Sequence, residues 1–182
     1  MWEEKRMSRQ TISMTAIGFL AGLVVAVSLH AAMTVPEFKG KDPKAAADAL
    51  LVAGLQAAGK GGSWERIAVG AVDYEGGDKA RGQALIDEVL NGKPEWTDFQ
   101  RAARLFAELG EWDKAKPLYE KAIAMKGDKA VLLAEAGAYY NLHGDRAKAE
   151  ELFTKAFQAD SNNPWAYTMA AASYLGKNPR PW

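Results

Sequence analysis

Imidazole titrates near neutral pH and ligates metals, so the two histidines are the first residues to weigh for chemistry. His30 ends a long uncharged stretch, and His143 stands just before Gly144, far away in sequence. No pair has metal-ligand spacing. The absence of cysteine removes disulfides, thiolate nucleophiles and cysteine metal sites. Gly59-Lys60-Gly61-Gly62 lacks the long spacing and the following Lys-Ser/Thr of a phosphate cradle, and it reads as a helix stop. No Gly-x-Ser-x-Gly elbow occurs. Glu150 and Glu151 are neighbours on a predicted helix, so their carboxylates point in different directions and make no acid–base pair. The expectation is a chain without catalytic residues, metal or cofactor.

Composition narrows the partners. The 182 residues suffice for one domain and an appendage. Lysine plus arginine and aspartate plus glutamate both total 23, so the net charge is zero and no basic nucleic-acid footprint exists. The expected partners are proteins and a membrane, not nucleic acid.

The membrane expectation rests on residues 11–33, which carry no charge and are mostly apolar from Ile12 to Leu29. About 20 such residues cross a bilayer core as a helix. An uncleaved anchor is the main reading. A cleaved leader has the same polar-then-apolar order, but the small residues Ala26-Val27-Ser28 that would suit a cut lie inside the apolar run. Cationic flanks tie: Lys5, Arg6 and Arg9 before the span, Lys39, Lys41 and Lys44 after it. A short tail followed by a folded region favours the tail inside and the remainder outside, periplasmic in a bacterium. His30 reads as a polar residue at the headgroup boundary.

Further along, 34–41 is a linker with Pro36 and Gly40. Asp42-Pro43 pairs an N-cap with a first-turn proline, and predicts a helix over 42–60 whose face at 46, 49, 50 and 53 packs on the rest of the molecule. A helical hairpin is expected over 64–94, with Gly77-Asp78 in its turn and Asp73 where an aromatic is expected. Helices are predicted near 95–108, 112–125, 129–142, 146–159 and 164–175, with Asp145 and Asn163 as caps and Pro117 one turn inside its helix. The tail 177–182 follows.

These helices repeat. Gly110 returns as Gly144, Ala115 as Ala149, Tyr119 as Phe153 and Ala122 as Ala156, each 34 positions on. Phe99, Ala103 and Phe106 return as Leu133, Gly137 and Tyr140, and again as Tyr167, Ala171 and Tyr174. Small residues where helices touch and large ones beside them define a helix–turn–helix repeat. Over 95–128 and 129–163 the pattern resembles the tetratricopeptide repeat (TPR), with 64–94 a degenerate copy and 164–176 a capping helix. The proline usual near the end of each unit is Gly127 in one copy and Ser161 in the next.

The resemblance implies an all-α solenoid, preceded here by a single N-terminal transmembrane helix. It also implies that first helices line a groove for a peptide or partner helix. The seats carried over are Thr97, Gln100, Arg104 and Glu108, then Val131, Ala134, Ala138 and Asn141, then Trp165 and Thr168. Arg104 and Glu108, four apart, would pair with each other. Some relatives clamp a chaperone's C-terminal carboxylate with lysine, asparagine and arginine. Gln100, Arg104, Glu135, Trp165 and Met169 occupy those seats here, so that subclass does not fit. The resulting expectation is a membrane-anchored scaffold or adaptor that assembles or steadies a membrane or envelope complex. The alternatives are a permanent structural subunit of such a complex, a lipid-handling accessory domain and, after leader cleavage, an exported soluble adaptor.

Overall fold

A computed structural model describes residues 36–59 and 61–180. The span 11–33 and Trp182 lie outside these residues. Within them the fold is all-α, with eight helices: α1 Pro43–Ala58, α2 Ser63–Glu75, α3 Lys79–Leu90, α4 Trp96–Glu108, α5 Trp112–Lys126, α6 Ala130–Leu142, α7 Arg146–Ala159 and α8 Pro164–Tyr174. No helix among the described residues is long and apolar enough to cross a membrane.

Polar side chains fix the starts. Asp42 accepts the Lys44 and Ala45 N–H groups at 3.1 Å each, and Asp145 accepts that of Lys148 at 3.1 Å. Asn163 does the same for Trp165 and Ala166. Each cap satisfies donors that the first helical turn leaves free.

One turn, used four times, fixes the ends. Gly77, Gly110, Gly144 and Gly176 have φ of +102°, +76°, +87° and +68°. One residue later, the N–H of Asp78, Glu111, Asp145 and Lys177 reaches back to the carbonyls of Asp73, Phe106, Tyr140 and Ala172 at 2.8–2.9 Å. This Schellman closure needs a left-handed residue, which glycine adopts without Cβ strain. Three of the turns lead into a second helix and make the hairpins α2–α3, α4–α5 and α6–α7; the fourth leads into the tail.

Within each hairpin a small residue faces a large one. A Cβ at Gly70 would lie 3.2 Å from Ile86, and one at Gly137 would lie 2.8 Å from the Phe153 ring. Gly82 is pressed harder, since a Cβ there would come within 2.5 Å of the Gly70 carbonyl oxygen. Ile86, Tyr119 and Phe153 are thereby buried, with Ala115, Ala122, Ala149 and Ala156 beside them. Each such large apolar side chain contributes about 1.5–3 kcal/mol. Between hairpins, Asp98 of α4 accepts the Ser63 hydroxyl of α2 at 2.9 Å.

The structure revises the sequence expectations at two points, Leu50 and Arg104. Of the expected α1 face, Ala46, Ala49 and Ala53 are half-buried but Leu50 is 46% exposed, and α1 buries no residue fully. Ala47 and Leu51 line a small cleft with Val72 and Asp73, Gly54 lets Val69 come close, and Asp48 lies 3.7 Å from Arg81. The helix is apolar nearly all round, so periodicity does not choose a face, whereas Gly54 and Asp48 do. Met169 of α8 is buried in the core. Arg104 does not pair with Glu108, for the reason given next.

Candidate functional site

The groove seats of α4 and α6 converge on one carboxylate. Glu135, in the middle of α6, is fully buried. It accepts Gln100 Nε2 at 2.9 Å, Arg104 Nε at 3.0 Å, Arg104 Nη2, and the Tyr119 hydroxyl at 2.8 Å. Helices α4, α5 and α6 are thus tied through one group. A charge this deep is tolerable when its lone pairs are all satisfied. Burial works against the Arg104 charge, but the hydrogen bonds and charge of Glu135 outweigh it and raise the guanidinium's proton affinity. Burial, then the Glu135 charge, holds the Tyr119 phenol well above its ordinary range. All four contacts are donated to Glu135.

Gln100 and Arg104 are therefore structural ties, not open ligand contacts. Arg104 leaves Glu108 because the buried, fully exposed-to-donors geometry of Glu135 offers it a bidentate partner across the hairpins. Beside the cluster the Tyr139 hydroxyl is buried near Glu108, and burial, then the Glu108 charge, raises its pKa. Ala134 and Ala138 are buried in the core, and half-buried Val131 packs against it. Asn141 donates to the Ser173 hydroxyl at 3.1 Å and joins α6 to α8. Thr97 is half-buried. Of the expected groove residues, Glu108, Trp165 and Thr168 face solvent, the Thr168 hydroxyl turning back to the Trp165 carbonyl at 3.0 Å.

One group of exposed apolar side chains lies at the last helix, and others lie on α1 and α2, at Leu50, Val52, Trp64 and Val72. Tyr167, Tyr174 and Leu175 are 44%, 48% and 76% exposed. Thr168, Ala171, Ala172 and Leu175, with Lys177, Asn178 and Arg180 of the tail, line a cleft of about 710 Å³. The tail folds against the molecule at Pro179, which is buried. On the other side of α8, a groove of about 320 Å³ runs along α7 between Phe153, Phe157, Ala171 and Tyr174. Tyr167 stacks on Phe157 with ring centroids 4.4 Å apart, and Tyr174 leans on Phe153 at 5.9 Å. The sequence signal for this surface was present: Tyr167, Ala171 and Tyr174 hold repeat seats that no following helix covers.

Among the described residues no group of three or more histidines and carboxylates is placed to hold a metal ion. Comparison of the chain with protein-family models, with curated proteins and with solved structures finds no match.

Proposed function

We propose that this chain is a non-catalytic scaffold of the tetratricopeptide type, held on a membrane by residues 11–33, with its helical region on the periplasmic side of a bacterial inner membrane. It works by holding other proteins in assembling or steadying an envelope complex. The observation that carries the reading is the set of exposed large apolar side chains on α8 and at its C-cap: Trp165, Tyr167, Tyr174 and Leu175. Contiguous exposed aromatic and aliphatic surface of this kind is where proteins dock on one another. The register of small and large seats, closed by the same glycine turn, supports the repeat assignment. The Glu135 cluster supports a stiff body that presents the end helix in one orientation.

The test is a mild-detergent pull-down of the full-length chain from its native membranes, with mass spectrometry of intact chains. The expected result is an uncleaved chain in the membrane fraction with stoichiometric protein partners, which Leu175→Asp releases. A chain starting after residues 26–33 and found in the soluble fraction would remove the anchor. A chain with no partners, or partners indifferent to Leu175→Asp, would remove the scaffold assignment to α8.

A further inference from the structure

The second helices share a longer signature than the three seats that bury them. Each opens on an acidic N-cap, followed four residues later by a small residue, eight later by a large one and eleven later by a small or medium apolar one. In α3 these are Asp78, Gly82, Ile86 and Val89; in α5, Glu111, Ala115, Tyr119 and Ala122; in α7, Asp145, Ala149, Phe153 and Ala156. All the apolar members are buried against the first helix of their own hairpin.

The same signature occurs a fourth time, in α1. Asp42 caps the helix, and Ala46, Leu50 and Ala53 follow at the same intervals. Leu50 is 46% exposed, Ala46 and Ala53 are partly exposed, and Ala49 and Ala57 continue the apolar face. Helix α1 is thus a second helix by sequence, with no first helix against its small–large–small face among the described residues.

The opposite deficit stands at the other end. The first-helix seats are Phe99, Ala103 and Phe106 in α4, and Leu133, Gly137 and Tyr140 in α6. Both sets are buried under the following second helix. In α8 the seats hold Tyr167, Ala171 and Tyr174, all exposed, beside the groove along α7. One end of the molecule presents a first helix without its second, and the other end presents a second helix without its first.

We infer that α1 of one copy docks on α8 of a second copy, head to tail, seated as α7 is seated on α6. The inference rests on the reading of α8 as a docking surface and names its occupant. Seat by seat, the residue opposite the large side chain is small. Gly70 meets Ile86 and Gly137 meets Phe153 in this way, so Leu50 of the incoming α1 lies over Ala171. Leu50 belongs to the same size class as Ile86, which already fills that seat in α2–α3. Second helices run antiparallel to their first helices, which brings Asp42 at the α1 N-terminus to the Gly176–Lys177 turn, where Asp145 follows Gly144 inside the chain. Because the two surfaces differ, the contact is heterologous and propagates from copy to copy.

The chain has no cysteine, so the register is read directly by single-cysteine cross-linking. Full-length Leu50→Cys and Ala171→Cys chains, distinguishable by tag, are mixed in mild detergent and oxidised with copper phenanthroline. The expected product is the mixed Leu50→Cys/Ala171→Cys dimer, at least about tenfold over either homodimer. The double variant gives a ladder. Val52→Cys, on the same helix but off the docking face and equally accessible, gives no mixed dimer. Homodimers of Ala171→Cys in excess would overturn the inference in favour of symmetric pairing of last helices. Equal yield from Val52→Cys, or no cross-link, would also overturn it. No cross-link while membranes still yield partners sensitive to Leu175→Asp removes the second copy and leaves the scaffold reading. A cross-link without such partners removes the scaffold reading and leaves the self-association.

Discussion

The hairpins α2–α3 and α4–α5 make the same turn and fill the same two seats with opposite chemistry. In α4–α5 the seats hold Phe106 and Lys114, with the ammonium 5.1 Å from the ring centroid. In α2–α3 they hold Asp73 and Arg81, joined by two hydrogen bonds at 2.7 and 2.6 Å. What both retain is the positive-φ glycine, the closing bond one residue later, and a buried small seat and a buried large one, Gly70 and Ile86 in one and Ala103 and Tyr119 in the other. The close approach and the turn specify the hairpin. The large seat accepts either an aromatic under a cation or a carboxylate neutralised by a guanidinium.

The comparison breaks most sharply at its tightest point. Gly82 and Ala115 hold the same seat, but a Cβ at Gly82 meets backbone: the Gly70 oxygen at 2.5 Å and the Tyr74 nitrogen at 2.6 Å. Gly82→Ala is expected to cost about 3 kcal/mol or more, because backbone cannot move aside as a side chain can. Ala115→Gly is expected to cost only about 1 kcal/mol beyond the lost methyl contacts. Helix content followed through urea unfolding distinguishes the two, and equal losses would refute the close-approach argument.

Next comes the ion pair. Asp73 is buried, so Arg81→Ala leaves a carboxylate without its partner and is expected to cost about 3 kcal/mol. Adding Asp73→Phe to that variant converts the seat to its α4–α5 form and is expected to restore most of the loss. If the double variant is no more stable than Arg81→Ala, the two seats are not interchangeable.

A smaller effect lies between the hairpins. Glu111 accepts the Tyr74 hydroxyl at 2.6 Å and lies 2.8 Å from Lys79 and 2.9 Å from Lys114. Lys79, then Tyr74 and Lys114, hold its carboxyl down at about 2, against an ordinary value of 4.5. A depressed value means that the stabilisation is complete above pH 4.5 and is lost as pH falls toward 2. Thermal unfolding across that window is expected to fall more steeply for the native chain than for Glu111→Gln, and parallel curves would dismiss the tie.

The smallest effect concerns the α6–α7 turn, where His143 takes the place of Leu109 in α4–α5. Its ring stacks on Trp112 at 4.6 Å, 5° from parallel, and burial lowers its pKa below the ordinary 6.5. The neutral imidazole is the form the fold favours, so its contribution is full above pH 6.5 and fades as pH falls through the lowered value. An NMR titration is expected to show a midpoint below 6.5 that moves back toward it in Trp112→Ala.

Local chemistry made the helices legible. Asp42-Pro43, Asp145 and Asn163-Pro164 announce starts through side chains that bond within three residues, and the glycines at 77, 110 and 144 announce ends for the same local reason. The site was less legible because its bonds are long-range. Arg104 has Glu108 one turn away and Glu135 on another helix, and spacing alone favours the nearer carboxylate, while burial selects the farther one. A signal did exist. Glu135 is the sole charged residue in the run from Ala130 to Tyr140, where every other seat is apolar or glycine. A charge in such a run must find partners inside the fold. The orientation of α1 was lost for the opposite reason, since a helix apolar on every side carries no periodic signal to say which face turns inward.

The buried Glu135 also bears on the order of events in folding. Hairpin α6–α7 can close alone, because its turn and its Gly137–Phe153 contact are internal. But alone it carries a carboxylate on the face that must lose water, while the donors Gln100, Arg104 and Tyr119 belong to α4–α5. Desolvation of Glu135 is therefore expected to wait for the other hairpin to dock, which couples the folding of the two hairpins. Glu135→Leu would uncouple them, speeding collapse of α6–α7 while erasing the penalty that now makes half-docked chains reopen, much as a latch that will not catch until both leaves of a door are shut.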